Sequence, residues 1–125
     1  MNVLAAPFLF VMPELDAYFA FTSFIRYSCP LYVQPALDGV HCGVLLVDKC
    51  LEQIDGELYD YLQSHQLSAT VYAFPWVMTF SVCKPSLDQV LILWDFFLAF
   101  GVHLNILCIV AELHSKRAEI LTSTR

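Results

Sequence analysis

Apolar residues recur along this chain at helical spacing, with no alternating strand of useful length. The clearest stretch carries Val40, Val44, Val47, Leu51 and Ile54, a 4-3-4-3 step that lines one face of a helix. Asp38 is expected to cap its start and Asp55-Gly56 to break it. Asp55 is also placed to cap a short helix bearing Leu58, Tyr61 and Leu62. Upstream, Pro7 and Pro13 are read as bracketing a first apolar helix. Pro13-Glu14 suits the first turn of a second one, running to about Tyr27. The prolines at 30 and 35 keep the segment from Ser28 to Pro35 extended or turned.

Downstream, Ser68 to Cys83 is a near-continuous aromatic and aliphatic run with Pro75 before Trp76, read as a buried, kinked helical stretch that Lys84-Pro85 ends. Ser86-Leu87-Asp88-Gln89 has the form of a capping box. The helix after it places Leu87, Val90, Leu91, Trp94, Phe97 and Leu98 on one face, with Gly101 as the left-handed residue that ends it. A last helix, from about His103 to Leu121, begins apolar on all sides and turns amphipathic after Glu112. The pattern predicts an all-α chain forming one domain over residues 1–125.

Composition sharpens this reading. Hydrophobic residues make up 58% and charged residues 14%, against about 45–50% and about 25% in soluble proteins. The mean hydropathy is +0.63. Either the chain sits in lipid, or it is the buried part of a larger soluble fold. The apolar segment from Met1 to Met12 lacks a basic start and a cleavage site, and falls short of the ~20 residues that span a bilayer. Val90 to Ala111 is long enough but contains Asp95, Gly101, His103 and Asn105. An Asp near the centre of a spanning helix costs about 2.5–3.5 kcal/mol. Two buried helices meeting at Phe100-Gly101-Val102-His103 cost less, so membrane insertion is not expected. With a net charge of −6 and six scattered basic residues, the chain lacks the clustered cations of a nucleic-acid-binding surface.

Little in the sequence points to chemistry. Five cysteines at 29, 42, 50, 83 and 108 form no CxxC pair and mostly lie in apolar runs, as expected of buried free thiols in a reducing intracellular compartment. His41-Cys42 followed by Cys50 has no recognisable zinc spacing. His41 and Cys42 are neighbours on a helix and point apart, which argues against a catalytic pair. Asp95 is read as a buried carboxylate tied to a backbone N–H or an indole, since an unpaired buried charge would cost several kcal/mol. Asp48 and Glu52 are read as a solvated acidic face, and Asn105 as a satisfied core amide. Phe74, Trp76, Phe80, Trp94 and Phe97 are read as core packing. No catalytic, cofactor-binding or metal-binding residue is assigned, and no cofactor is expected.

Phe74-Pro75-Trp76-Val77-Met78-Thr79-Phe80-Ser81, followed after a turn by Val90-Leu91-Ile92-Leu93-Trp94-Asp95-Phe96-Phe97, resembles the late part of the TBC domain. That domain is the helical GTPase-activating module acting on Rab-type small GTPases. Its L-x-x-W-D-x-x-x-x-x-G helix pattern is met by Leu91, Trp94, Asp95 and Gly101. The segments 37–41, 46–51 and 100–107 look like the fungal mitotic-checkpoint branch, in yeasts the spindle-pole-body activator that restrains mitotic exit or septation. The likeness covers nearly the whole chain.

The resemblance implies the C-terminal helical part of a TBC domain, a regulator of a Rab/Ras-like small GTPase and not itself an enzyme. It further implies a scaffold protein as partner and a cytoplasmic location at the spindle pole body or cytoskeleton. Family members carry an arginine finger in an Ile-x-x-Asp-x-x-Arg motif and a glutamine finger in Tyr-x-Gln-Gly. Neither motif occurs here: the nearest imitation, Tyr32-Val33-Gln34, runs into Pro35. An arginine finger is worth about 10³–10⁵ in rate, so residues 1–125 are expected to be inactive alone. The competing expectations are a catalytically dead remnant serving as an interaction module and a small membrane protein. An uncovered core and poor solubility are also expected.

Overall fold

The computed structural model describes residues 2–123, and all regular structure among them is helical. Nine α-helices follow in order: α1 (Asn2–Val11), α2 (Glu14–Ser23), α3 (Asp38–Ile54), α4 (Gly56–Ser64), α5 (Ala69–Tyr72), α6 (Phe74–Met78), α7 (Leu87–Phe100), α8 (Leu104–Ser115) and α9 (Arg117–Thr122). A π-helical turn, Phe24–Ser28, extends α2, and a 3-10 turn covers Pro30–Tyr32. The all-α prediction is met. No helix among the described residues is long and apolar enough to cross a membrane.

The longest helix, α3, is the axis of the fold. Its predicted stripe of Val40, Val44, Val47 and Leu51 is wholly buried, whereas Ile54 at its end is exposed. Against this stripe pack α4, α5, α6 and α8, which bring Leu58, Leu62, Ala69, Val77, Ile106, Ile109, Val110 and Leu113, with Ala73 between α5 and α6. Gly39 and Gly43, one turn apart on α3, make room for neighbours. A Cβ at Gly39 would stand 2.7 Å from the Tyr32 ring, and one at Gly43 would stand 2.6 Å from a Val77 methyl. A second, aromatic core gathers Phe8 from α1, Ala17 from α2, Phe24 from the π-turn, Phe80, and Val90, Trp94 and Phe97 from α7. Tyr32 packs against both.

Several boundaries differ from expectation for local reasons. Pro7 lies inside α1 rather than before it, since the helix starts at Asn2. Leu37, not Asp38, stands at the start of α3: its carbonyl accepts the amides of Val40 and His41 at 2.9 and 3.0 Å. Asp38 is the first helical residue, where its charge still meets the positive end of the helix. The capping box at 86–89 does not form through side chains; the Ser86 carbonyl accepts the Val90 amide at 3.1 Å. Asp55 does cap α4, its Oδ1 accepting the Leu58 amide at 3.1 Å. The last helix is broken at Lys116, which separates α8 from α9. Gly101 ends α7 at φ +123° and ψ 135°: φ is positive as expected, but with that ψ the residue lies outside the left-handed helical region.

Candidate functional site

Several of the residues that carry the family likeness, Trp76, Phe80, Ser81 and Trp94, meet at the turn after α6. Phe80 and Ser81 both take positive φ, +48° and +63°. Such conformations cost non-glycine residues about 1–3 kcal/mol each and persist only where the surroundings over-determine them. Here they do. The Trp94 indole Nε1 donates to the Phe80 carbonyl at 2.9 Å. The Ser81 hydroxyl donates to Asn105 Oδ1 at 2.8 Å, and Asn105 Nδ2 donates to the Trp76 carbonyl at 3.1 Å. That carbonyl also takes the Ser81 amide at 2.9 Å. The Phe80 ring stacks on Tyr32 at 4.7 Å and meets Phe24 and Trp94 edge-on at 5.7 and 6.3 Å. One buried knot thus ties α6, α7 and α8 together.

The reading of Asn105 as a satisfied core amide is therefore correct, and Phe80, Trp94 and Phe97 are core rings. Phe74 and Trp76 are half-buried against the aliphatic core. Asp95 is not the buried carboxylate expected. It is exposed, and the indole beside it bonds Phe80 instead. Successive helical residues diverge by about 100°, so Trp94 pointing inward turns Asp95 to solvent. Leu87 and Leu98, predicted on the buried face of α7, are exposed too.

Other predicted groups also land differently. Of the thiols, only Cys29 is buried, and burial pushes it up to about 11. Cys42 and Cys83 are exposed, and Cys50 and Cys108 are half-buried. His41 rests on Phe74, with ring centres 5.7 Å apart. Asp48 is half-buried rather than fully solvated: its Oδ1 accepts the Ala69 amide at 3.1 Å and so holds the start of α5. Burial raises its pKa against the lowering effect of that bond. Glu52 pairs with exposed Lys49 at 3.2 Å. The Tyr32 ring is used internally, and Gln34 is exposed.

Two charged clusters went unseen in the sequence. Asp55 Oδ2 accepts from His114 Nδ1 at 3.0 Å and from Arg117 Nε at 2.9 Å, and Arg117 also pairs with Glu57. This clamps α9 to the start of α4. Burial works to raise the Asp55 pKa, but the Leu58 amide, His114 and Arg117 outweigh it and hold the carboxyl below its usual range. Lys84 pairs with Glu112 and lies over the Trp76 ring, 5.4 Å from its centre. Desolvation lowers its pKa. The cap at Asp55 was legible, but its partners 59 and 62 residues away left no local signal. Among the described residues, no three His, Cys, Asp or Glu side chains gather as a metal-binding group. The charged and polar groups brought together here hold helices.

An all-helical chain whose Trp-Asp helix locks the preceding turn defines a class of protein. The chain belongs to the Rab-GTPase-TBC domain family, whose model matches residues 1–121. It is similar to cell division control protein 16 of Schizosaccharomyces pombe, with 47% identity covering 97% of this chain and 41% of that protein. It is also similar to mitotic check point protein BUB2 of Saccharomyces cerevisiae, with 41% identity over 98% of this chain and 40% of the relative. A putative mitotic check point protein BUB2 of Dictyostelium discoideum is 38% identical over 97% of this chain and 33% of its own length. The likeness to the checkpoint branch is thus borne out. The chain spans about two fifths or less of these relatives.

Proposed function

We propose that residues 1–125 are the C-terminal scaffold part of a GTPase-activating domain that acts on a Rab/Ras-like small GTPase in a mitotic-exit or septation checkpoint. The observation that carries this reading is the near-complete coverage of the chain by checkpoint relatives, together with the locked Trp94–Phe80 turn. The same likeness supports a scaffold protein as a second partner and a place at the spindle pole body. Catalysis in such a domain rests on an arginine that neutralises charge on the transferring phosphoryl and a glutamine that positions water. Neither finger motif occurs in these 125 residues. Arg26 stands exposed on the π-turn without the motif, and Arg117 is held by Asp55 and Glu57.

In this reading the exposed apolar side of α1 and α2, with Leu9, Phe10, Leu15 and Phe19 each more than half exposed, is where further helices of a complete domain pack. The test is single-turnover GTP hydrolysis by a panel of small GTPases, with and without the chain, alongside binding to their GTP-loaded forms. Binding with no rate increase is expected. Stimulation of hydrolysis by these residues alone would overturn the assignment of the fingers elsewhere.

A further inference from the structure

The outer side of α7 is a second apolar surface, unlike that of α1 and α2. Ile92, Phe96 and Phe100 follow one another at four-residue steps and are 72%, 44% and 68% exposed. Over eight residues they form a ridge about 12 Å long, on which the Phe96 and Phe100 rings touch at 5.0 Å between centres. Trp94 and Phe97 anchor the opposite face of the helix in the aromatic core, so the ridge cannot turn inward without breaking that core. On the same side stand Asp88, Asp95 and Ala99, all exposed. The spacing 88-92-95-96-99-100 is that of one helical face, an apolar ridge with both acids along one edge.

We propose that this face of α7 is a docking surface for an amphipathic helix of another protein, one with an apolar stripe edged by Lys or Arg. Charge complementarity selects that occupant. Asp88 and Asp95 beside the ridge would stay unpaired against an apolar cover, whereas a basic partner satisfies them. A second copy packed about a two-fold axis centred on Phe96 would bring the two Asp95 side chains together, and like charges oppose that. An anionic membrane is disfavoured by the same acids. A basic amphipathic helix satisfies both features: its stripe covers the ridge and one basic edge meets Asp88 and Asp95, in the helix-on-apolar-face mode of recognition. This surface does not depend on the GTPase reading.

The test uses the full chain and two synthetic helical peptides of about 18 residues, each with a leucine stripe, one edged by lysine and one by glutamate. Fluorescence anisotropy should show tighter binding of the lysine-edged peptide. Ile92→Gln, Phe96→Gln and Phe100→Gln should each weaken it about tenfold. The double change Asp88→Lys with Asp95→Lys, confined to exposed positions, should invert the preference toward the glutamate-edged peptide and covers the case in which a ridge variant misfolds. Unchanged affinity in every variant, or loss of binding only in a Leu9→Gln, Phe10→Gln control, would overturn the proposal. So would a homodimer in sedimentation that Phe96→Gln dissolves, or binding to phosphatidylcholine vesicles that the same change abolishes.

Discussion

The two cores of this chain solve the same problem with different materials. Around α3 the core is aliphatic, built from Val, Leu, Ile and Ala, and it is enclosed by α4, α5, α6 and α8. Around Trp94 it is aromatic, with Phe8, Phe24, Phe80 and Trp94 meeting edge-on or tilted at centre distances of 5.2–6.3 Å. The helices of the first core expose large hydrophobics that are aliphatic only, Leu45 and Leu46 on α3, Val71 on α5 and Leu107 on α8 among them. Those of the second, α1, α2 and α7, are apolar on the outside as well, with Phe10, Leu15, Phe19, Ile92 and Phe100 all more than 60% exposed. Small branched side chains fill the enclosed core evenly, and the large hydrophobics left exposed outside it carry no ring. Large rings build a core with fewer residues and leave apolar surface available to partners.

The largest test of this contrast is truncation at each centre. Trp94→Ala should cost about 3–5 kcal/mol and Leu51→Ala about 2–5 kcal/mol in urea unfolding. The informative comparison is with Trp94→Phe, which keeps a ring but leaves the Phe80 carbonyl without its indole donor. That should cost about 1–3 kcal/mol. If Trp94→Phe were neutral, the positive-φ turn would be held by packing alone and not by the bond.

Next in size is the knot between the two cores. Asn105→Leu removes the acceptor of the Ser81 hydroxyl and one donor to the Trp76 carbonyl. The expected loss is about 1–3 kcal/mol. Because Ser81 and Trp76 belong to one network, Asn105→Leu combined with Ser81→Ala should cost less than the sum of the two. Additive losses in the double-mutant cycle would show that the knot does not act as a unit.

How much of this could be read beforehand divides along the same line. The stripe Val40, Val44, Val47, Leu51 was legible because charged Lys49 and Glu52 mark the other side of α3. Asp55 was legible as a cap because capping is local. The orientation of α7 was only half legible: Val90, Trp94 and Phe97 point inward as expected, but Leu98 and Leu87 do not. A helix apolar all round carries no period to say which side is inside. Asp95 was misplaced for the same reason, since burial was inferred from apolar neighbours and not from the angle between them. The Asn105–Ser81 bond spans 24 residues, and no periodicity reports such a distance.

A smaller test probes how tightly the aliphatic half is closed. In Gly43→Ala the new methyl would stand 2.6 Å from a Val77 methyl, 3.1 Å from the Tyr32 hydroxyl and 3.3 Å from Ile106. Helix propensity favours alanine over glycine by up to about 1 kcal/mol, but overpacking costs about 1–3 kcal/mol. A net loss of stability is therefore expected in thermal melts. Gly56→Ala, where an added Cβ meets nothing within 4 Å, is the control and should be neutral or slightly stabilising. A stabilised Gly43→Ala would mean that α3 and α6 can separate freely.

The smallest effect concerns the clamp at Asp55, a charged group that closes the aliphatic half from outside. Asparagine caps helices about as well as aspartate, so Asp55→Asn keeps the bond to the Leu58 amide and removes only the charge facing His114 and Arg117. The folded carboxyl titrates below the unfolded value of about 3.9. A depressed acid stabilises the folded state above the unfolded pKa and loses that contribution as pH falls through the lower folded pKa. Wild type and Asp55→Asn should therefore have similar stability well below pH ~3 and diverge above about pH 4, the mutant being weaker by about 1 kcal/mol. Urea unfolding across that range measures the divergence. A gap that stayed constant with pH would show that the clamp works by shape and hydrogen bonding, leaving the charge of Asp55 without a role in holding α9 to α4.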